Sequence, residues 1–272
     1  MKDLVKMNTP LVSIIIPCYN DWQYVEQSVF SALNQTYTNR EIIIVDDGSN
    51  EKTKLVLNKL ESKITKLIIQ ENKGQSTARN VGIREAKGEY ILVLDSDDYF
   101  EQTFCEKAIK ILSNDKEFKL VSCHAMLLYE EGKSSVYKHH GGNIESFLFE
   151  NNALGSALFK KKDWENCGKY DENMKDGFED WEFYIRLLKK GGNAYIISEP
   201  LYTYRKRTDS TTIKATSLKY NLQKYIFVKH QELYKQHYSD LVDYLISNVK
   251  REEKEKIKNT QRLEFKIGKK IL

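Results

Sequence analysis

Short apolar runs alternate with stretches of helical periodicity along the first hundred residues of the chain. Runs rich in β-branched residues, typical of strands buried on both faces, occupy residues 11–16, 41–45, 66–69 and 89–94. Apolar residues between them recur at the spacing of amphipathic helices, most regularly over residues 75–87. This alternation predicts an α/β fold, with a mostly parallel, twisted sheet flanked by helices.

The pattern becomes less regular beyond residue 100. Helical spacing occurs at residues 103–112 and 178–189. Apolar runs that predict strands occur at residues 119–128, 153–159 and 195–197. We expect these elements to extend the sheet as an α+β region.

The last part of the sequence, from Ser217 onward, consists almost entirely of residues that favour helices. Its apolar residues between Leu222 and Val249 recur at helical spacing, and lysine and arginine become frequent after Val249. Two interpretations stay open. This tail packs against the rest of the chain, or it forms an amphipathic helix that lies on an anionic membrane surface.

Composition excludes several classes of protein. The 272 residues can bury a large core, and 43 Lys and Arg against 39 Asp and Glu leave a net charge of only +4, too small to indicate nucleic-acid binding. The 4 cysteines are far apart and form no C-x-x-C pair, so we expect free thiols in a reducing compartment. No apolar stretch approaches the roughly 18 residues of a membrane span. We expect a cytoplasmic protein, free or peripheral on the inner face of the membrane.

Polar turns follow three of the predicted strands, at residues 17–20, 46–49 and 95–98. Ligands of open parallel sheets bind beyond the carboxyl ends of the strands. Each turn alone has the composition of an ordinary turn, but three at one sheet edge favour a ligand site. Their carboxylates would repel one another without a cation, so we expect a bound divalent cation. These carboxylates belong to Asp46, Asp47, Asp95, Asp97 and Asp98.

Asp95 and Asp97 flank Ser96 directly after an apolar strand. In extended backbone their side chains lie on the same side, which suits Mg²⁺ or Mn²⁺ held by carboxylates, phosphate oxygens and water. Other phosphate-binding motifs are missing from the sequence, since no G-x-x-x-x-G-K-[ST] occurs and no G-x-G-x-x-G follows the first strand. The sequence therefore argues against a P-loop or Rossmann site.

A further acidic segment, Glu179-Asp180-Trp181-Glu182, opens a predicted helix. Acidic residues are common at such positions because the helix dipole stabilises them. Alternatively, Asp180 is a general base that removes the proton of a substrate hydroxyl. His139 and His140 lack helix or strand context, and we interpret them as a loop pair rather than metal ligands.

Together these segments resemble glycosyltransferase family 2, the inverting glycosyltransferases with the GT-A fold. The resemblance covers about residues 11–210 and rests on six motifs in the family's order. They are residues 13–20, 44–49, 72–82, 95–98, 179–181 and 204–205. The resemblance implies a GT-A fold followed by a helical C-terminal tail, a UDP-sugar donor, and Mn²⁺ or Mg²⁺ as cofactor.

The resemblance also implies a nucleotide site. Tyr19 would stack on the uracil ring, and Asp47 would accept the uracil N3–H, because a carboxylate only accepts. Asp95 would contact the ribose, and Arg79 would face the ribose or the diphosphate. The full set of expected nucleotide-binding residues is Pro17, Tyr19, Asp47, Gly74, Arg79 and Asp95.

The same resemblance assigns the chemistry. Asp97 would ligate the metal, and Asp180 would be the catalytic base of a single displacement that inverts the anomeric carbon. Arg205 would contact the donor diphosphate, with a solvated basic turn as the alternative. Some relatives supply a metal-ligating histidine from this region, but residues 199–216 contain none, so a third protein ligand stays unassigned. The candidate acceptor site consists of Gly155, Ser156, Glu179 and Trp181.

We therefore expect a hexosyltransferase that uses a UDP-sugar and a saccharide or lipid-linked acceptor, in bacterial polysaccharide or glycolipid synthesis. Its nucleotide half would span residues 1–98, its acceptor half 99–214, and its helical tail, in contact with a membrane or a partner, 215–272. Two alternatives stay open: a nucleotide-sugar-binding protein without catalysis, and a nucleotidyltransferase. The latter needs a glycine-rich basic loop after its first strand, which residues 20–22 do not supply.

Overall fold

The computed structural model describes residues 9–207 and 215–261. By internal contacts the chain divides into two units, Met1–Leu222 and Gln223–Leu272. The expected boundary at residue 214 lies outside the described residues. So does the late part of the basic end, with Arg262, Lys266, Lys269 and Lys270.

The first unit begins with four strands joined by helices. The strands are β1 (Val12–Cys18), β2 (Arg40–Asp47), β3 (Lys66–Gln70) and β4 (Tyr90–Val93). The helices are α1 (Val25–Leu33), α2 (Glu51–Leu60) and α3 (Gln75–Glu85). The strands are parallel in the order β3-β2-β1-β4, which confirms the predicted βα units. The residues of β1 are all buried, because α1 and α3 pack on the strand.

The rest of the unit extends this sheet with strands of mixed direction. Its strands are β5 (Tyr99–Phe100), β6 (Phe118–Tyr129), β7 (Ser134–Tyr137), β8 (Leu158–Lys160) and β9 (Asn193–Lys206). Its helices are α4 (Phe104–Asn114), α5 (Ile144–Phe147), α6 (Lys161–Cys167) and α7 (Glu179–Leu188). Within the described residues the sheet continues from β4 through β8, β6 and β9 to β5, with β7 paired to β6.

The prediction of a strand at residues 153–159 is mostly wrong. Only the end of this range belongs to a strand, which is β8. The carbonyl groups of Leu154 and Gly155 accept hydrogen bonds from the Tyr184 hydroxyl, at 2.7 and 3.2 Å. A side chain from α7 therefore takes the place of a neighbouring strand, and the backbone before β8 stays irregular.

The strand predicted at residues 195–197 is too short. In the structure it is part of β9, a 14-residue strand that pairs in parallel with β6. Bulges interrupt the pairing near Cys123 and His124. The apolar pattern does not continue along the second half of β9. The sequence pattern alone therefore does not predict the full length of this strand.

Two large apolar residues of this region are exposed. Trp22 lies before α1, because the carbonyl of Asp21 accepts hydrogen bonds from the backbone of Tyr24 and Val25 and delays the start of the helix. Tyr24 is the N-cap of α1. Leu55 is also exposed, and other leucines of α2 cover the core instead.

Helices make up the last described part of the chain. They are α8 (Lys219–Lys229), α9 (Gln231–Gln236) and α10 (Tyr238–Gln261). No residue of α10 is buried, and its apolar residues Val242, Leu245, Ile246 and Val249 are exposed. Acidic and basic residues are equally frequent in α10, so the positive excess of the segment from Tyr238 onward comes after Gln261. Among the described helices, none combines the length and hydropathy that crossing a membrane requires.

Candidate active site

The three polar turns meet at the carboxyl edge of the parallel strands, as predicted. The backbone N–H of Asn20 donates to Ser49 Oγ at 3.0 Å, and the N–H of Asn50 donates to Asn20 Oδ1 at 2.8 Å. Ser96 Oγ donates to Asp21 Oδ2 at 2.5 Å. These bonds tie the turns after β1, β2 and β4 into one surface.

Hydrogen-bond donors of the protein itself hold carboxylates of these turns. Asp46 Oδ1 accepts from the Ser49 N–H at 2.9 Å. Asp98 accepts from the Tyr202 hydroxyl and from the Arg205 N–H, both at 2.7 Å, and is buried. Burial raises the pKa of Asp98 well above its ordinary value. Asp46 and Asp98 therefore stabilise these turns through hydrogen bonds within the protein.

Asp47 joins the end of β2 to the start of α3. Its two oxygens accept from the backbone N–H groups of Lys73 and Gly74 at 2.9 and 2.8 Å, and from Gln70 Nε2 at 2.6 Å. Gly74 has a φ of +92°, which suits glycine at this N-cap. Tyr19, at the end of β1, leaves 51% of its surface exposed. This arrangement places an exposed ring and a carboxylate at neighbouring strand ends.

Asp97 lies beside a carboxylate that the sequence interpretation did not assign to the site. One nitrogen of Arg207, Nη1, lies 2.8 Å from Asp21 Oδ1 and 3.4 Å from Asp97 Oδ2. Burial, Asp21 and Asp95 raise the pKa of Asp97 to about 7, against the lowering effect of Arg207. The Arg207 guanidinium thus already balances the negative charge of Asp21 and Asp97. Carboxylate oxygens are also the ligands that Mg²⁺ and Mn²⁺ prefer, so Asp97 and Asp21 fit the expected metal.

Arg205 is held by groups of the protein itself. Its guanidinium donates to the carbonyl of Asp97 and to Gln27 Oε1. It also lies over the rings of Tyr24 and Tyr99, 5.1 Å from each centroid. The structure therefore places this positive charge beside the turn that follows β4, close to the expected diphosphate position.

Arg79 connects the two acidic segments. Its Nη2 lies 2.8 Å from Asp95 Oδ1, and its Nη1 lies 2.6 Å from Glu179 Oε1. The residue is only 1% exposed, and its guanidinium carbon lies 5.3 Å from the centroid of the Tyr170 ring. Asp95 follows β4, and Glu179 begins α7, so one side chain joins the expected nucleotide half to the expected acceptor half.

Asp180 lies next to this bridge with its carboxylate oriented by two donors. Asn151 Nδ2 donates to Oδ2 and the Trp181 N–H donates to Oδ1, both at 2.8 Å. Burial is the largest cause that raises the pKa of Asp180 above its ordinary value; Glu179 also raises it, and Arg79 lowers it. A raised pKa brings the proton exchange of a carboxyl group closer to neutrality, which favours a role as general base.

Gly155 and Ser156 lie between the two acidic segments. A Cβ atom on Gly155 would come within 2.9 Å of Asp180 Oδ2, so glycine keeps the space in front of this carboxylate open. Ser156 Oγ donates to the Tyr202 hydroxyl at 2.9 Å and lies 3.5 Å from Asp95 Oδ2. By contrast, Trp181 is only 3% exposed, and its Nε1 donates to the Phe147 carbonyl at 2.6 Å. Its indole packs in the interior.

Sequence reasoning missed two residues of the site. Asp21 was not assigned a role in the site, and Asn151 lies in a segment without a recognisable pattern. Asp21 directly follows the first polar turn, which was a usable signal. No sequence signal marked Asn151, because its contact with Asp180 depends on the irregular chain before β8.

The histidine pair follows β7. His139 and His140 lie in an irregular segment after β7, as predicted. Burial lowers the pKa of His139 to about 4. The described residues contain no group of three or more His, Cys, Asp or Glu arranged to hold a metal ion.

Solved structures identify the architecture as that of the GT-A glycosyltransferases. S. aureus TarS in complex with UDP-GlcNAc matches with a TM-score of 0.62 and 19% identity, over 74% of this chain and 60% of that chain. A mannosyltransferase from Pyrobaculum calidifontis in complex with GDP-Man and Mn²⁺ matches with a TM-score of 0.60 and 18% identity, over 76% and 60%. At these identities the likeness establishes the fold alone.

The chain belongs to glycosyl transferase family 2, whose model matches residues 13–166. A putative teichuronic acid biosynthesis glycosyltransferase of Bacillus subtilis is 30% identical over 72% of this chain and 79% of its own length. The chondroitin synthase of Pasteurella multocida is 29% identical over 85% of this chain. The chain spans only 24% of that synthase, and 44% of an uncharacterized glycosyltransferase of Haemophilus influenzae that is 39% identical over 109 residues. Family membership makes this chain a glycosyltransferase.

Proposed function

We propose that this chain transfers a sugar from a UDP-sugar to an acceptor hydroxyl in a single displacement with inversion. The observation that carries the proposal is the bridge of Arg79 between Asp95 and Glu179, at 2.8 and 2.6 Å. The turn after β4, on the proposed donor side, and the acid pair at the start of α7 thereby belong to one site. A transfer between two bound substrates requires such a site.

In this proposal the nucleotide binds between Tyr19 and Asp47. The exposed Tyr19 ring stacks on the uracil, with the backbone around Pro17 beside it. The donors on Asp47 use three of the about four acceptor positions of a carboxylate, which leaves one for the uracil N3–H. Gly74 has no side chain to keep the nucleotide away from the backbone. Asp95 then lies on the ribose side.

The proposed cofactor is Mn²⁺ or Mg²⁺, held by Asp97 with Asp21 beside it. When bound, the metal neutralises the charge that develops on the departing diphosphate. Arg205 supports the same role, because its guanidinium is already fixed at the Asp97 carbonyl. Arg79 supports the ribose side by holding Asp95 in place through their ion pair.

Asp180 is the proposed base. Its raised pKa favours transfer of the acceptor hydroxyl proton to it while the oxygen attacks the anomeric carbon from the face opposite the diphosphate. Asn151 fixes one oxygen, and Gly155 leaves room for the acceptor in front of it. Ser156 and Glu179 complete the proposed acceptor side. Trp181 supports it from behind, as a packed residue.

The proposed acceptor is a growing saccharide or a lipid-linked saccharide on the cytoplasmic face of a membrane. Two relatives carry names that refer to teichuronic acid biosynthesis and chondroitin synthesis, and both are polymers of sugars. The solved neighbours hold UDP-GlcNAc and GDP-Man, which supports a nucleotide-sugar donor. The tail would supply the membrane contact.

A panel of UDP-, GDP-, CMP- and dTDP-sugars, assayed for nucleotide release with Mn²⁺ and with EDTA, tests the proposal. We expect release from a UDP-sugar only, dependent on metal and lost in Asp180→Asn. Binding of UDP without release would favour a nucleotide-sugar-binding protein. Release of pyrophosphate from UTP and a sugar phosphate would favour a nucleotidyltransferase.

A further inference from the structure

The buried Arg79 guanidinium faces an excess of negative charge. Asp95 comes from the turn after β4, and Glu179 and Asp180 come from the start of α7. The phenols of Tyr170 and Tyr184 also interact with Asp180. A buried arginine stays protonated, so its charge is permanent. Three carboxyl groups therefore depend on one fixed cation.

The two carboxyl groups of the acid pair differ in their partners. Glu179 Oε1 receives Arg79 Nη1 at 2.6 Å. Asp180 receives only the neutral donors Asn151 Nδ2 and Trp181 N–H among the hydrogen bonds of the described residues. Glu179 is therefore the member of the acid pair that binds the Arg79 guanidinium, while the donors to Asp180 are neutral.

We propose that Arg79 is a positioning residue for the acid pair: it binds Glu179 as a counter-ion and sets the ionisation of Asp180 through opposed charges. The inference rests on the proposed function for its catalytic meaning, since there Asp180 is the base. It requires no contact between Arg79 and the substrate. It predicts that removing the charge of Arg79 and removing the charge of Glu179 change the ionisation of Asp180 in opposite directions. A purely structural role would not produce this difference.

Opposite pKa shifts are the test. Removal of the positive charge in Arg79→Gln destabilises the Asp180 carboxylate, so its pKa should rise. Removal of the negative neighbour in Glu179→Gln stabilises it, so its pKa should fall. A neighbouring opposite charge shifts a carboxyl pKa by about one to three units. Arg79→Lys keeps the charge and should leave the midpoint near that of the unchanged protein, while its shorter side chain loses one of the two contacts.

The direct measurement is a carbon-13 NMR titration of the full chain labelled at aspartate carboxyl carbons, with the Asp180 signal assigned by its loss in Asp180→Asn. Glu182→Gln is the matched control, because Glu182 is another buried acid of α7 paired with an arginine, at 2.7 Å from Arg186. We expect no shift of the Asp180 midpoint in this control. Shifts of the same sign in Arg79→Gln and Glu179→Gln, or no shift in either, would overturn the inference. If Arg79→Gln does not fold, an unmoved midpoint in Glu179→Gln alone overturns it.

The pH profile of kcat/KM separates this inference from the proposed function. In an active enzyme the acidic limb of the profile should move with the NMR midpoint in each variant. If the Asp180 midpoints of the two variants shift in opposite directions but the protein releases no nucleotide from any donor, the inference about ionisation is supported and the proposed function is excluded. An acidic limb that stays fixed in an active enzyme would overturn the link between Arg79 and the base.

Discussion

Asn151 Nδ2 donates a hydrogen bond of 2.8 Å to Oδ2 of Asp180. Asn151 comes from the irregular chain before β8, and Asp180 comes from the first turn of α7. The bond fixes which lone pairs of the carboxylate remain for another partner. Orientation of the proposed base is therefore a property of two segments that lie 29 positions apart in the sequence.

Asp180→Asn should leave donor binding nearly intact and lower turnover by about 10² to 10⁴-fold, because an amide has nearly the same shape and cannot take the proton. Nucleotide release with a saturating acceptor measures turnover, and calorimetry measures UDP binding. Glu145→Gln, a change at an exposed acid of α5, is the control and should retain full activity. A loss smaller than about threefold would place the base elsewhere, with Glu179 as the next candidate.

Asp97→Ala should abolish the dependence of UDP binding on Mn²⁺ or Mg²⁺. We expect a loss of at least about tenfold in affinity when metal is present, equivalent to about 1.4 kcal/mol, and little change when it is absent. Calorimetric titration of UDP with and without metal measures both. Glu117→Ala removes an exposed carboxylate outside the site and should bind as the unchanged protein does. Metal-dependent affinity that survives in Asp97→Ala would remove this residue from the metal site.

Gly82→Ala should destabilise the fold although alanine usually favours a helix. Gly82 lies on α3, where a Cβ atom would come within 2.5 Å of Ile15 Cγ2 and 3.1 Å of Val45 Cγ2. Overpacking of this kind costs about 1 to 3 kcal/mol in the free energy of unfolding. Urea unfolding followed by circular dichroism measures the loss, with the exposed Arg84→Ala on the same helix as control. Equal midpoints in both variants would contradict the packing argument.

The tail can be tested with three chains: the full one, one that ends at Gln261 and one that ends at Val249. If it contacts membranes, the full chain should sediment with anionic vesicles and the chain ending at Gln261 should lose most of this binding. The reason is that α10 carries no excess of positive charge, and each basic residue near an anionic surface contributes about 1 kcal/mol. Neutral phosphatidylcholine vesicles are the control. Equal binding of all three chains would exclude the basic end as an anchor, and binding by none would make the tail a packing element or a protein interface.

The nucleotide half could be predicted closely from the sequence. Its strands are buried on both faces and read as apolar runs, and its helices show a single apolar face. The convergence of the three polar turns also followed from the sequence, because the carboxyl ends of parallel strands meet at one edge. These are local patterns combined with a general rule of topology.

The acceptor half was predicted less well, because its elements depend on distant partners. The chain before β8 is irregular because the Tyr184 hydroxyl binds its carbonyl groups. The length of β9 depends on its pairing with β6 rather than on its own apolar pattern. Neither effect leaves a periodic trace in the sequence.

The sequence by itself determined the family resemblance, the parallel core and the acidic residue types at the strand ends, since these follow from short-range patterns. Only the tertiary structure decided how the charges pair: Arg79 with Asp95 and Glu179, and Arg207 with Asp21 and Asp97. The physical reason is that an ion pair in the interior forms wherever folding removes two opposite charges from water together, and that depends on position in space, not on distance along the chain. The ionisation of Asp180 is set in the same way, by burial and by charges from three separate segments.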